Sequence, residues 1–136
     1  MSKTFLAALI FRLVEEGRLS LDDVVAALLP EVRVGKTVTV RMLLDHTSGL
    51  ADFFFSKGID KALLANRGAT WTAARALGYV GKPYFPPGSG WHYSNTNYLL
   101  LQANEAGAQL TDVVNAAIEP FEGRDFCVRF IDCAPS

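Results

Sequence analysis

The sequence begins Met1-Ser2-Lys3-Thr4-Phe5, and the Lys3 amine is the first group in it able to move a proton. Residues three apart on a helix share a face. A lysine can therefore hydrogen-bond a hydroxyl one turn before it and draw off its proton, making that hydroxyl a nucleophile. Counting back three places from Lys3 lands one residue ahead of Met1. Ser2 is adjacent instead, and neighbouring helical residues point about 100° apart, so Ser2 is expected to cap the helix rather than to pair with the amine. Only a frayed first turn would bring it toward Lys3 or Tyr93. His46 and His92 stand alone, and Cys127 and Cys133 lie together near the far end. These four give no metal-ligand spacing, so neither a metal nor a cofactor is expected. A phosphate-cradling glycine loop and a dinucleotide fingerprint are likewise missing from the sequence.

The elements that must hold these groups are mostly helical. Thr4 to Glu16 favours helix, with Phe5, Leu6, Leu9, Ile10, Phe11, Leu13 and Val14 around most of its circumference, so burial on nearly all sides is expected. Gly17 stops it. Ser20 with Asp23 resembles a capping box for a second helix through Leu21, Val24, Val25 and Leu28, ended by Pro30. Thr37 to Val40 alternates briefly, then Thr39 caps a short helical turn that leaves at Gly49. Ala51 to Lys82 has weak periodicity and reads as a variable insertion, with helices around Ile59–Leu64 and Thr72–Leu77. Phe85 to Gly90 is dense in turn formers and must be a loop delivering Trp91-His92-Tyr93-Ser94-Asn95 to a fixed place. Tyr98 to Leu101 starts a helix, and Leu110 to Ile118 marks another, closed by Pro120. If Asp125 to Cys133 is one strand, its two thiols lie roughly 20 Å apart, beyond disulfide reach.

Half of the 136 residues are hydrophobic, which fits one folded domain, 1–136. Thirteen basic and fourteen acidic side chains leave a formal net charge of −1, too little to gather nucleic acid or an anionic membrane surface. The longest apolar run, Phe5 to Phe11, is closed by Arg12 and is far short of a membrane span. It runs into Glu15-Glu16-Gly17 and reads as a buried helix rather than a signal peptide, so localisation stays open.

Three stretches in this order resemble the serine β-lactamase and penicillin-binding-protein superfamily, in its class C β-lactamase, D-Ala-D-Ala carboxypeptidase and family VIII esterase branch. They are Ser2-Lys3-Thr4-Phe5 before an apolar helix, "LLDHTSGL" at Leu43 to Leu50, and "PPGSGWHYSNTNYLLL" at Pro86 to Leu101. The resemblance implies that Lys3 is the lysine of an S-x-x-K motif whose serine is not in this sequence. It implies that Tyr93 is a proton shuttle, held near the ammonium so that the phenolate is favoured, and that Asn95 binds the substrate amide. It makes His46 a hydrogen-bonded scaffold residue rather than a base. The K-T-G or H-x-G strand motif is absent.

The implied fold class is mainly α: the helical lobe of a β-lactamase/transpeptidase-like α/β fold with most of the sheet missing, a truncated member. The implied function is a serine hydrolase acting through an acyl-enzyme on a β-lactam, a D-Ala-D-Ala peptide or a short-chain ester, impaired by the absent serine. The alternative is a catalytically silent remnant that self-associates or binds a peptidoglycan-like ligand. Loss of the covering sheet would bare the first helix, so a homo-oligomer is expected. Family members are often periplasmic or extracellular.

Overall fold

The apolar segment after Met1 folds as α1, Ser2–Glu15. In the computed structural model, which describes residues 2–30, 32–65 and 72–102, α1 buries Leu6, Ile10 and Leu13 at helical spacing. Burial is one-sided, contrary to the expectation from composition: Phe5 is 57% exposed and Phe11 is 50% exposed. The helix ends as Gly17 predicts. Gly17 takes φ +69, its N–H donates to Val14 O, and the Arg18 N–H reaches back to Leu13 O at 3.0 Å, closing two carbonyls that would otherwise lack partners.

The second helix is shorter than the sequence pattern suggests. Ser20 N–H bonds Asp23 Oδ2 at 2.8 Å, one half of a capping box, but Ser20 Oγ accepts from Asp22 N–H at 3.2 Å and Asp23 N–H goes to Ser20 O. They close a turn rather than a helix, because Val24 is extended and forms an isolated antiparallel bridge with Thr39. Two bonds flank it: Val25 N–H to Val38 O and Val40 N–H to Asp23 O. Only afterwards does α2, Val25–Leu28, begin. A non-local pairing has overridden a local start signal.

Thr39 then caps α3, Val40–Leu44, its hydroxyl accepting from Met42 N–H. This helix leaves at Asp45, earlier than Gly49, because Asp45 Oδ1 captures both the N–H and the hydroxyl of Thr47 and turns the chain. A 3-10 turn at Phe53–Phe55 follows, with α4 at Ile59–Ala65 and α5 at Ala73–Leu77, where helices are expected from the sequence.

The last described helix, α6 at Asn95–Gln102, is the centre of the fold. It starts three residues before the apolar Tyr98 run and packs against α1, α3, α5 and the 3-10 turn. Thr96 through Leu101 are all buried, so the helix needs partners for its polar side chains as well as its apolar ones. Thr96 Oγ1 donates to Ala51 O at 2.7 Å and accepts from Phe53 N–H at 3.0 Å. Leu6, Ile10, Val25, Val38, Val40, Leu43 and Leu100 complete a single apolar cluster around it. Among the described residues there is no strand beyond that one bridge, and no helix is long and apolar enough to cross a membrane. The helix expected at Leu110–Ile118 and the segment carrying Cys127 and Cys133 lie outside the described residues.

Candidate active site

A lysine in the first turn of α1 and an asparagine at the start of α6, 92 residues apart, meet because α6 runs through the core beside α1. Lys3 Nζ donates to Asn95 Oδ1 at 3.0 Å. The Tyr93 hydroxyl donates to the same oxygen at 3.1 Å. Lys3 Nζ also lies 5.6 Å from the centre of the Tyr93 ring and 5.9 Å from that of Tyr98, within cation–π range of both. The three side chains singled out from the sequence are thus brought together. Lys3 and Tyr93 are linked through the amide oxygen that both reach. Ser2 is the first residue of α1, one position before Lys3.

Asn95 is itself fixed by a residue that sequence reasoning missed. Asp52 is 2% exposed, and its Oδ2 accepts from Asn95 N–H at 3.0 Å and from Asn95 Nδ2 at 2.8 Å. Its Oδ1 accepts from Phe54 N–H at 3.0 Å. One carboxylate therefore caps both the 3-10 turn and the amino end of α6, satisfying donors that helix starts leave open. The available signal was an Asp directly before a helix-like Phe run. The stretch from Ala51 reads as a variable insertion, which hides that signal.

The "DHTSGL" turn supports the site from below. Tyr84 N–H donates to Gly49 O, Gly88 N–H to Thr47 O and His92 N–H to His46 O, so the Pro-Gly-rich loop is laced onto this turn along its length. His46 is the hub. Its Nδ1 accepts from Ser94 N–H at 3.3 Å and lies 2.9 Å from Asn97 Nδ2, whose amide oxygen accepts from the Ser48 hydroxyl. Two donors aimed at Nδ1 leave the ring proton on Nε2. The ring also packs on Tyr93 at 4.7 Å and Tyr98 at 5.4 Å. His46 is a hydrogen-bonded support, and it holds the Tyr93-Ser94-Asn95 corner. The Ser94 hydroxyl beside it is buried without a partner among the described residues. His92 is a loop residue, its Nδ1 against Tyr93 O and its ring 4.2 Å from that of Tyr84.

Burial and, second, the Lys3 charge lower the pKa of His46 from its ordinary 6.5, with Asp45 and Asp52 opposing. The unfolded chain then binds a proton near pH 6.5 that the folded chain refuses until lower pH. The stability from neutral His46 is complete above 6.5 and is lost as the pH falls through 6.5 toward the folded value. His46→Asn is expected to flatten this acid-side decline. Asparagine tolerates the left-handed backbone that His46 adopts, φ +63, and its carbonyl can accept in place of Nδ1. Urea midpoints of both proteins between about pH 5 and pH 8 check it. A slope that persists in the variant assigns the decline to another group.

Burial likewise raises the pKa of Tyr98, whose hydroxyl donates to Leu44 O at 3.3 Å, so it stays a neutral phenol. Beside Lys3 and Asn95 a cleft of about 450 Å³ opens, walled by Phe53, Phe54, Tyr98 and Leu99 and reaching Gln102. Its wall is mostly apolar, with Lys3, Asn95 and Gln102 as its polar groups. Among the described residues no cluster of His, Cys, Asp or Glu could hold a metal ion.

The sequence and the fold have counterparts. The family model described as Beta-lactamase matches residues 1–114. Penicillin-binding protein 4* of Bacillus subtilis (strain 168) is 36% identical over 124 residues, 87% of this chain and 27% of that protein. Penicillin-binding protein 4 of Amycolatopsis lactamdurans is 36% identical over 107 residues, 74% of this chain and 26% of its own. The chain therefore spans about a quarter of the length of these curated relatives. Among solved structures, a D-stereospecific amidohydrolase from Streptomyces sp. superposes with a TM-score of 0.72 at 34% identity, covering 87% of this chain and 39% of that one. An octameric penicillin-binding protein homologue from Pyrococcus abyssi gives 0.57 at 27% identity, with 87% and 29% covered.

Proposed function

Because the chain belongs to the Beta-lactamase family, we propose that Lys3, Tyr93 and Asn95 form the proton-handling and substrate-binding side of a serine-hydrolase site that cleaves amide or ester bonds through an acyl-enzyme. The observation that carries this reading is the convergence of Lys3 Nζ and the Tyr93 hydroxyl on Asn95 Oδ1, beside a cleft that Lys3 and Asn95 line. In acyl transfer a serine oxygen bonds to the carbonyl carbon while its proton passes to a base. The carbon–nitrogen or carbon–oxygen bond to the leaving group then breaks, and the leaving atom takes a proton. Lys3 suits the first transfer and Tyr93 the second, and Asn95 places the substrate amide between them. The relatives' names, penicillin-binding protein and D-stereospecific amidohydrolase, favour amide over ester substrates. The apolar wall of Phe53, Phe54 and Leu99 suits the side chain of the acyl group.

The attacking serine must lie three residues before Lys3 to share its face. Intact-mass analysis after incubation with a labelled penicillin or a fluorophosphonate tests this directly. The chain as written is expected to take up no label. With one serine placed directly ahead of Met1 it is expected to take up a single label, and Lys3→Ala is expected to slow that labelling by about 10²-fold or more. Labelling of the unextended chain that disappears in Ser2→Ala would refute the spacing argument.

A second reading is a silent, self-associating member of the family. Phe5 and Phe11, both at least half exposed on α1, favour it, as does similarity to a protein described as octameric. A serine-extended chain that stays unlabelled, and sediments as an oligomer, would decide for this reading.

A further inference from the structure

We infer that Asp52 is a positioning residue: its buried carboxylate sets the rotation of the Asn95 amide, so that the carbonyl oxygen, and never the NH₂ group, faces Lys3 and Tyr93. The inference rests on the hydrolase reading for its functional meaning but not for its geometry. An asparagine side chain presents an acceptor on one edge and two donors on the other, and rotation about its last bond exchanges them. The phenol can meet either edge, and the ammonium, which only donates, favours the oxygen edge, so the group on the opposite edge must agree with that setting.

Asp52 agrees with that setting and holds it in place. An ionised carboxylate only accepts, so the edge of Asn95 against Asp52 Oδ2 must be Nδ2, which is found there at 2.8 Å. The backbone N–H of the same residue bonds that oxygen at 3.0 Å, fixing the carboxylate relative to the start of α6. Phe54 N–H holds the other oxygen at 3.0 Å, and Tyr84 Oη accepts from the Asp52 N–H at 3.3 Å. With Nδ2 committed, Oδ1 turns to the opposite side, where it accepts from Lys3 Nζ and the Tyr93 hydroxyl. An inverted amide would aim a donor at two other donors. The lysine and the tyrosine would then have no common acceptor, and a substrate would meet an N–H where it now meets an oxygen. Asp52 acts through Asn95, since it is buried behind that residue and is not among the groups lining the cleft.

The amide orientation can be read by NMR on the isotope-labelled chain without any turnover. In the unsubstituted protein the Asn95 side-chain NH₂ protons are expected to exchange slowly and to give no cross-relaxation to the Lys3 ε-methylene. Fast exchange, or strong cross-peaks to Lys3, overturns the inference whether or not any variant folds. In Asp52→Asn, where one carboxylate oxygen becomes a donor, exchange of those protons is expected to quicken by about tenfold or more, as befits loss of a bond to a charged acceptor. Cross-peaks to Lys3 are expected to appear while the Asn97–His46 contacts persist. An Asn95 signature unchanged in a folded Asp52→Asn protein overturns the role of Asp52 alone. An unlabelled serine-extended chain overturns the hydrolase reading alone.

Discussion

Gly49→Ala is expected to lower stability by about 3–5 kcal/mol, the range reserved for a clash that the surroundings cannot absorb. Two costs add. Gly49 sits at φ +74, a backbone region that costs an L-residue roughly 1–2 kcal/mol. A β-carbon there would also lie 2.1 Å from the carbonyl oxygen of Phe85 and 3.1 Å from its carbonyl carbon, both backbone atoms. No rotamer change relieves that contact; the Tyr84–Gly90 loop must lift. Lifting it strains Tyr84 N–H to Gly49 O first, then Gly88 N–H to Thr47 O, and finally the placement of Tyr93 and Asn95. Gly58→Ala is the comparison, since Gly58 also has positive φ, +98, but has nothing within 4 Å of an added β-carbon. It is expected to cost only the backbone share, about 1 kcal/mol. Urea or thermal unfolding of the two variants separates the terms. Equal losses would mean that the loop is not clamped to the turn.

How far the sequence disclosed this arrangement follows the range of each interaction. Helix ends governed by their own residues were legible: Gly17 stops α1 and Thr39 caps α3 because their effects act within four residues. The stretches that carry Lys3, Tyr93 and Asn95 stand out by their order and spacing, and the fold brings these three side chains to one oxygen. What was hidden depended on contacts across the chain. The capping-box pattern at Ser20 and Asp23 promised a helix, yet Val24 paired with Thr39 and delayed it. Asp52 opens a stretch of weak periodicity and belongs to no repeating pattern, so only its position behind Asn95 shows what it does. The one-sided burial of α1 could not be read from composition, because seven apolar residues around a helix say nothing of how many neighbours are there to cover them.

The second large effect is expected from the smallest substitution at the site, Asn95→Asp. It exchanges the Nδ2 group, now 2.8 Å from Asp52 Oδ2, for an oxygen. A charge-assisted hydrogen bond is thereby replaced by two carboxylates in contact beside a buried group, and close like charges of this kind do not both ionise at ordinary cost. Lys3, 3.0 Å from the other edge of residue 95, offsets part of the repulsion because its ammonium now faces a full charge. The net loss at pH 7 is expected to be about 2–4 kcal/mol. Its pH dependence gives the cause away. The new pair holds one proton to higher pH than an isolated carboxyl, so the folded variant binds more protons than its unfolded chain. Its deficit should therefore be smallest near pH 4 and grow as the pH rises. Asn95→Leu removes the Nδ2–Asp52 bond without adding charge, so its deficit is expected to vary with pH less than that of Asn95→Asp. Urea midpoints for both variants from about pH 4 to pH 8 distinguish the two patterns. Parallel curves would mean that Asp52 and residue 95 do not share the electrostatic contact on which the placement of the Asn95 oxygen depends.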